Sequence, residues 1–276
     1  MLTPPLLAIV ALLSGAPDLT HRTPAQLVQM LAGPNADAAE IRLGETHATS
    51  LHALTAGLRD KNKHVRYRCA DLLYRIGDSK AGPALIAALK DPDENARIKC
   101  LDALSLITYV PATRFIFRMM ADPSPQVREF AALSLNGMPD GTRYLLRAAK
   151  SPSSIMRAAV FKTYDPDIEA LPAIKKLFDD PSPSVRAAAV DAQTFQNVAS
   201  EEAVIEKVSD PAPEVRAATA PQLSATNAPW ADPYLIRLLQ DRSLSACALW
   251  LRGFRDVRAI PALVSGASDP DEDTAH

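Results

Sequence analysis

Arg66, Arg97, Arg128, Arg157, Arg186 and Arg216 recur at intervals of 31, 31, 29, 29 and 30 residues. Six permanently charged, planar guanidinium groups on one spacing could line a ridge for phosphate oxygens, because each presents a fork of donors that matches an anion. The same six could instead work inside the fold. Each lies six residues after the residue that opens a turn, namely Asp60, Asp91, Asp122, Ser151, Asp180 and Asp210. Planar, permanently charged Arg suits a bidentate bridging role there. That regularity favours the internal role, since a residue present in every unit marks what every unit needs for stacking.

Other side chains with chemical potential are sparse. Cys69, Cys100 and Cys247 make an odd set with no metal-ligand spacing, and Cys69 and Cys100 fill one repeat position that Ala131, Val160, Ala189 and Thr219 fill elsewhere. They read as small core residues. His21, His47, His52, His64 and His276 lie almost entirely in the first quarter, and the five-residue step from His47 to His52 does not align two ligands on one helix face. There is no nucleophile elbow, and 10 glycines in 276 residues leave little material for a phosphate loop. No catalytic residue, metal site or cofactor is expected. The net charge of -2 gives no overall electrostatic reason to expect a nucleic acid or an anionic membrane.

These residues sit in a period near 30, the signature of stacked helical units that each bury an apolar face against their neighbours. Six residues before each turn stands an aliphatic side chain: Leu54, Leu85, Ile116, Leu145, Ile174, Val204, Leu235 and Leu263. Two before it stand Leu58, Leu89, Met120, Ala149, Phe178, Val208, Leu239 and Ala267, four positions on and therefore on the same helical face. This is the core stripe of a first helix, opened by proline at Pro83, Pro172, Pro233 and Pro261. A second helix follows the Asp-Pro turn, with Val65, Ala96, Val127, Val185 and Val215 facing inward. The turn Asp is expected to cap that helix and the next Pro to occupy its first turn.

Segments such as GDSKAGPALIAALKDPDENARIKCLDAL, residues 77–104, closely resemble the short HEAT repeats of the phycobilisome-lyase type. The resemblance extends over roughly residues 45–270. It implies an all-α, right-handed α-solenoid of about seven repeats, with second helices lining a concave face. It also implies that Asp60, Arg66, Asp91, Arg97, Asp122, Arg128, Arg157, Asp180, Arg186, Asp210 and Arg216 form an inter-repeat ladder. Similar iron hydroxylases carry His-Glu dipeptides on their helices; none occurs here. Bilin lyases share the repeats, but no residue marks a bilin site.

A specific partner is met where units differ. One and two residues after the ladder Arg, the fifth and sixth units carry Ala187, Ala188, Ala217 and Ala218. The first three carry Tyr67, Arg68, Ile98, Lys99, Glu129 and Phe130, with Asp71, Asp102 and Tyr74 further along the same helices. Tyr and Arg combine large contact area with directional hydrogen bonds. The first reading is a non-catalytic, monomeric scaffold that holds a protein or peptide on this face. A lyase-type accessory subunit or other enzyme-associated factor is the alternative, and nucleic-acid binding is a third.

The ends depart from the pattern. Leu6–Leu13 is too short to span a membrane and reads as a signal-peptide core or an apolar cap within residues 1–16, leaving export and a cytoplasmic location both open. Residues 17–44 read as a divergent cap repeat with a helix capped by Thr23, and 45–276 as the solenoid, whose last repeat is incomplete. The seventh unit has Cys247 where Arg is expected and Trp250 at the small position.

Overall fold

Helices of two or three turns are marginal in water, so units of this length must be held by packing. The computed structural model describes residues 19–163, 171–196, 201–226, 228–241 and 244, and among these there is no strand. The leader-like residues 1–16, Cys247, Trp250, Pro261, Leu263, Ala267 and the acidic tail lie outside the described residues. The chain divides into two compact units, Met1–Gly141 and Thr142–His276.

In the N-terminal unit the helices run α1 (Pro24–Met30), α2 (Ala36–Glu45), α3 (His47–Gly57), α4 (Lys63–Ile76), α5 (Gly82–Ala88), α6 (Glu94–Leu106), α7 (Thr113–Met119) and α8 (Pro125–Asn136). α3, α5 and α7 are first helices, each lying against its own second helix, α4, α6 or α8. The second helices also pack directly on one another, α4 on α6 and α6 on α8. Small buried side chains at Cys69, Cys100 and Ala131 permit that approach. Leu54, Leu85 and Ile116 project from the first helices into the same core and are fully buried. Each buried Leu or Ile contributes roughly 1.5–3 kcal/mol. At Gly57 a Cβ would stand 2.5 Å from Cys69 Sγ and 2.9 Å from Val28 Cγ1, so glycine is what lets α3 close on α1 and α4.

α1 begins with a reciprocal capping box between Thr23 and Gln26. α1 packs on α3 and α2 on α4, so this pair continues the arrangement of the repeats.

In the C-terminal unit the helices are α9 (Gly141–Ala149), α10 (Ser154–Ala159), α11 (Leu171–Lys175), α12 (Pro183–Gln196), α13 (Glu201–Lys207), α14 (Pro213–Thr226) and α15 (Asp232–Leu239). Its second helices likewise pack in sequence, α10 on α12 and α12 on α14, around Val185, Ala189, Val215 and Thr219.

The turn differs from expectation. Asp60, Asp91 and Asp122 do not cap the second helix. Their Oδ1 atoms accept from the amides of Asn62, Asp93 and Ser124 at 2.8, 2.8 and 2.9 Å, forming Asx turns. Those three residues are the caps, accepting from His64, Ala96 and Val127. Pro92 and Pro123 therefore lie in the turn, and the helix-opening prolines are Pro125, Pro183 and Pro213. The physical reason is reach: a carboxylate engaged with the amide two residues on leaves the helix to start beyond it.

Helix α4 ends at Gly77 with φ +69°, and 31 residues later Thr108 takes the same left-handed geometry at φ +47°. A β-branched residue is strained there by about 1 kcal/mol or more. Thr108→Gly is expected to raise the urea midpoint; an unchanged or lower midpoint would count against strain at this turn. Burial pushes the Cys69 thiol up to about 12 and raises that of Cys100 as well. In a Cys247→Ser background, a disulfide reagent should therefore leave both thiols untouched until denaturant is added, and rapid native labelling would contradict this packing.

Candidate interaction face

The recurrent Arg side chains point into the fold. In the N-terminal unit, Arg66 Nε and Nη2 donate to Asp91 of the next repeat at 2.6 and 2.8 Å, while Nη1 donates back to the carbonyls of Asp60 and Lys61 at 3.0 and 3.2 Å. The guanidinium thus ties two consecutive turns together. Its side chain is 11% exposed and that of Asp91 4%. Arg97 repeats the pattern through Nη2 to Asp122 at 2.8 Å, with its buried Nε left without a hydrogen-bond partner. Arg128 makes only the backward half, to the carbonyls of Asp122 and Pro123.

Within the C-terminal unit, Arg157 binds Asp180 at 2.7 and 2.8 Å, Arg186 binds Asp210 at 2.8 and 2.7 Å, and Arg216 binds Asp241 at 2.6 Å. At the turn that lacks Asp, Ser151 Oγ accepts from the Ser153 amide instead. Burial by itself would raise Asp180 and Asp210, but the guanidinium hydrogen bonds, the Ser182 and Ala212 amides and the nearby positive charges hold both below the ordinary carboxylate value.

The side chains that differ between units gather on the second helices of the N-terminal unit. Arg68 of α4 reaches back to α2, pairing with Asp37 at 2.9 Å and with Glu40. Arg75, one turn beyond Asp71, closes on the same Glu40 and on Asp71 at 3.2 Å. Lys99 of α6 bridges Asp71 at 3.4 Å and Asp102 at 3.7 Å, and stands 5.4 Å over the Tyr74 ring. Burial raises Asp102 more than Lys99 lowers it, the mark of a carboxylate held in part from water. Tyr67 is the exposed aromatic of this set, at 36%. Ile98, Glu129 and Phe130 are half-buried, and among the described residues Glu129 and Phe130 take no part in the ion-pair network. In the C-terminal unit, Ala187, Ala188, Ala217 and Ala218 occupy the corresponding positions of α12 and α14.

Arg68, Asp71, Tyr74, Lys99 and Asp102 are therefore one connected surface. Asp37, Glu40 and Arg75 belong to it, and comparison of repeats misses them because the links jump 28–35 residues back to a helix pair with a different sequence. Among the described residues no group of three or more His, Cys, Asp and Glu side chains could hold a metal ion. No helix among them is long and apolar enough to cross a membrane.

The HEAT repeat model matches residues 49–135 and 170–246, more than half of the chain. The chain belongs to the HEAT repeat family. A search of curated proteins found no match. Among solved structures, this HEAT chain is similar to the YibA protein of Escherichia coli, with 19% identity over 87% of this chain and 93% of that one and a TM-score of 0.47. It is also similar to the complex of CpcE and CpcF of phycocyanin lyase from Nostoc, 18% identical over 91% and 97% at a TM-score of 0.34. Human deoxyhypusine hydroxylase is 19% identical over 98% and 95% at a TM-score of 0.38.

Two depressed carboxylates tie stability to acid. A folded-state value below the unfolded one gives stability that is complete above the unfolded value, ordinarily 3.8, and is lost as pH falls through the folded value. The urea midpoint should accordingly fall between about pH 5 and pH 2. Asp180→Asn with Asp210→Asn should be less stable at neutral pH and lose part of that acid slope. An identical slope in both proteins would reject the pairing as its source.

Proposed function

We propose that this protein is a non-catalytic scaffold that holds a protein or peptide against the second-helix face of its N-terminal unit. The observation that supports this reading is the placement of Tyr67, Arg68, Asp71, Tyr74, Lys99 and Asp102 on one surface, with alanines in the C-terminal unit at the positions of Tyr67, Arg68 and Lys99. Stacking requires only small residues at these places, as α12 and α14 demonstrate. The extra aromatic and charged groups are surplus to the repeat, and their ion pairs hold them in fixed rotamers. A preordered polar surface loses less side-chain entropy when a partner docks. Tyr67 supplies an exposed ring beside that ordered set. The half-buried Ile98 of α6 and Glu129 and Phe130 of α8 stand at the equivalent places one and two residues after the ladder Arg.

Partners captured from native cells with the wild-type protein and identified by mass spectrometry provide the test. Replacing Tyr67, Arg68 and Tyr74 by Ala together should abolish capture of the identified partner while helical content is retained. Tyr67→Ala alone, which breaks no ion pair, should weaken that partner's binding about tenfold or more. Undiminished binding by both variants would reject this face.

A further inference from the structure

Charge is sorted between the two helix layers of the N-terminal unit. The segments that carry its first helices, residues 47–59, 79–90 and 110–121, contain Arg59, Lys80, Lys90, Arg114 and Arg118 and no Asp or Glu. Among the described residues none of these five cations forms an ion pair. Arg68, Arg75 and Lys99 on the second helices are, by contrast, all engaged with carboxylates. The first helices of the C-terminal unit are mixed: α9 carries Arg143 and Arg147 and no acid, whereas α11 is followed by Asp179 and α13 carries Glu202 and Glu206.

The cationic layer is not flat. Between α3 and α5 lies a cavity of about 310 Å³ whose walls include Thr55, Leu58, Ala84, Ala87 and Ala88, with the exposed Arg59 and Lys90 at its edge. Asp91 in its wall is paired with Arg66, while Asp60 accepts from the Asn62 amide and keeps its charge, so the lining carries Arg59, Arg66 and Lys90 against two carboxylates and the exposed edge is cationic. On α7, Arg114 and Arg118 lie 4.7 and 5.8 Å from the Phe115 ring. Stacking on a ring steadies a guanidinium and leaves its N–H edge open to an anion.

We infer that the first-helix layer of the N-terminal unit is a second docking surface, and that it takes an acidic peptide segment with an aliphatic side chain seated in the alanine-walled cavity. It is separate from the second-helix face proposed above. Carboxylates of the segment meet Arg59 and Lys90 on either side of that side chain, and Arg114 or Arg118 further along. Two features favour a peptide over a nucleic acid. A phosphodiester chain has no aliphatic group for an alanine-walled cavity. A long polyanion also gains from many phosphate contacts, and this chain has a net charge of -2.

The test is titration of the full chain with a fluorescent peptide of glutamates interspersed with leucines, at low ionic strength. Its Gln-for-Glu counterpart, oligothymidylate and vesicles containing phosphatidylserine run beside it. Saturable binding of the acidic peptide alone is expected, weakened about tenfold or more by Arg59→Glu with Lys90→Glu and to a lesser extent by Arg59→Gln with Lys90→Gln. Tyr67→Ala should leave it unchanged. Equal binding by wild type and both double variants overturns the inference, as does the absence of binding or binding of the DNA or vesicles as tight as that of the peptide. Loss on Tyr67→Ala but not on the Arg59 and Lys90 changes would place the peptide on the second-helix face, rejecting this surface while leaving the proposed function intact.

Discussion

A seven-residue helix such as α5 cannot hold itself together in water, and the construction of each unit follows from the need to bury it. Leu85 and its counterparts Leu54 and Ile116 gain their stabilisation only when a second helix lies beneath them and another repeat lies beside them. Stacking therefore comes before every other feature. It requires small side chains where second helices approach, and Cys69, Cys100 and Ala131 meet that requirement in successive repeats. Cysteine there acts as a small hydrophobe, and its burial removes the thiolate chemistry the residue type could otherwise supply.

Apolar stacking is not directional enough to set the register between repeats, and the Arg–Asp pairs add that direction. One guanidinium donates forward to the carboxylate of the next turn and backward to the carbonyls of its own, so neighbouring turns are held at a fixed separation. The Asp is used twice as well, because the Oδ1 that accepts from the amide two residues on also meets Arg in several repeats. Pairs with such low exposure cost desolvation, so their contribution is better described as geometry than as added stability. The same engagement is why the most conspicuous positive residues of the sequence are unavailable to an external anion.

Once stacking and register are met, the surface is free to vary, and it varies unevenly. The second helices of the N-terminal unit hold their charges in mutual ion pairs, whereas the first-helix segments hold cations without partners. These are different kinds of recognition surface. The first offers a preordered pattern of rings and closed ion pairs, and the second a local positive potential with an apolar recess.

The period, the helix pairs and the apolar stripes were legible in the sequence, because each is a local rule repeated often enough to average out exceptions. The recurrence of Arg and Asp was legible for the same reason, but the pairing was not complete in it: Asp241, which meets Arg216, was not named with the ladder, and Arg128 has no carboxylate ahead of it. The capping residue was not legible, since an Asp next to Pro fits a cap and an Asx turn equally well until the backbone is seen. Nor was the state of the charges. Nothing local to the sequence separates Arg59 from Arg68, yet in the fold one has no ion pair and the other is closed onto Asp37 and Glu40. That difference depends on which residues about 30 positions away arrive beside each side chain, and only the packing of one helix pair on the next decides it.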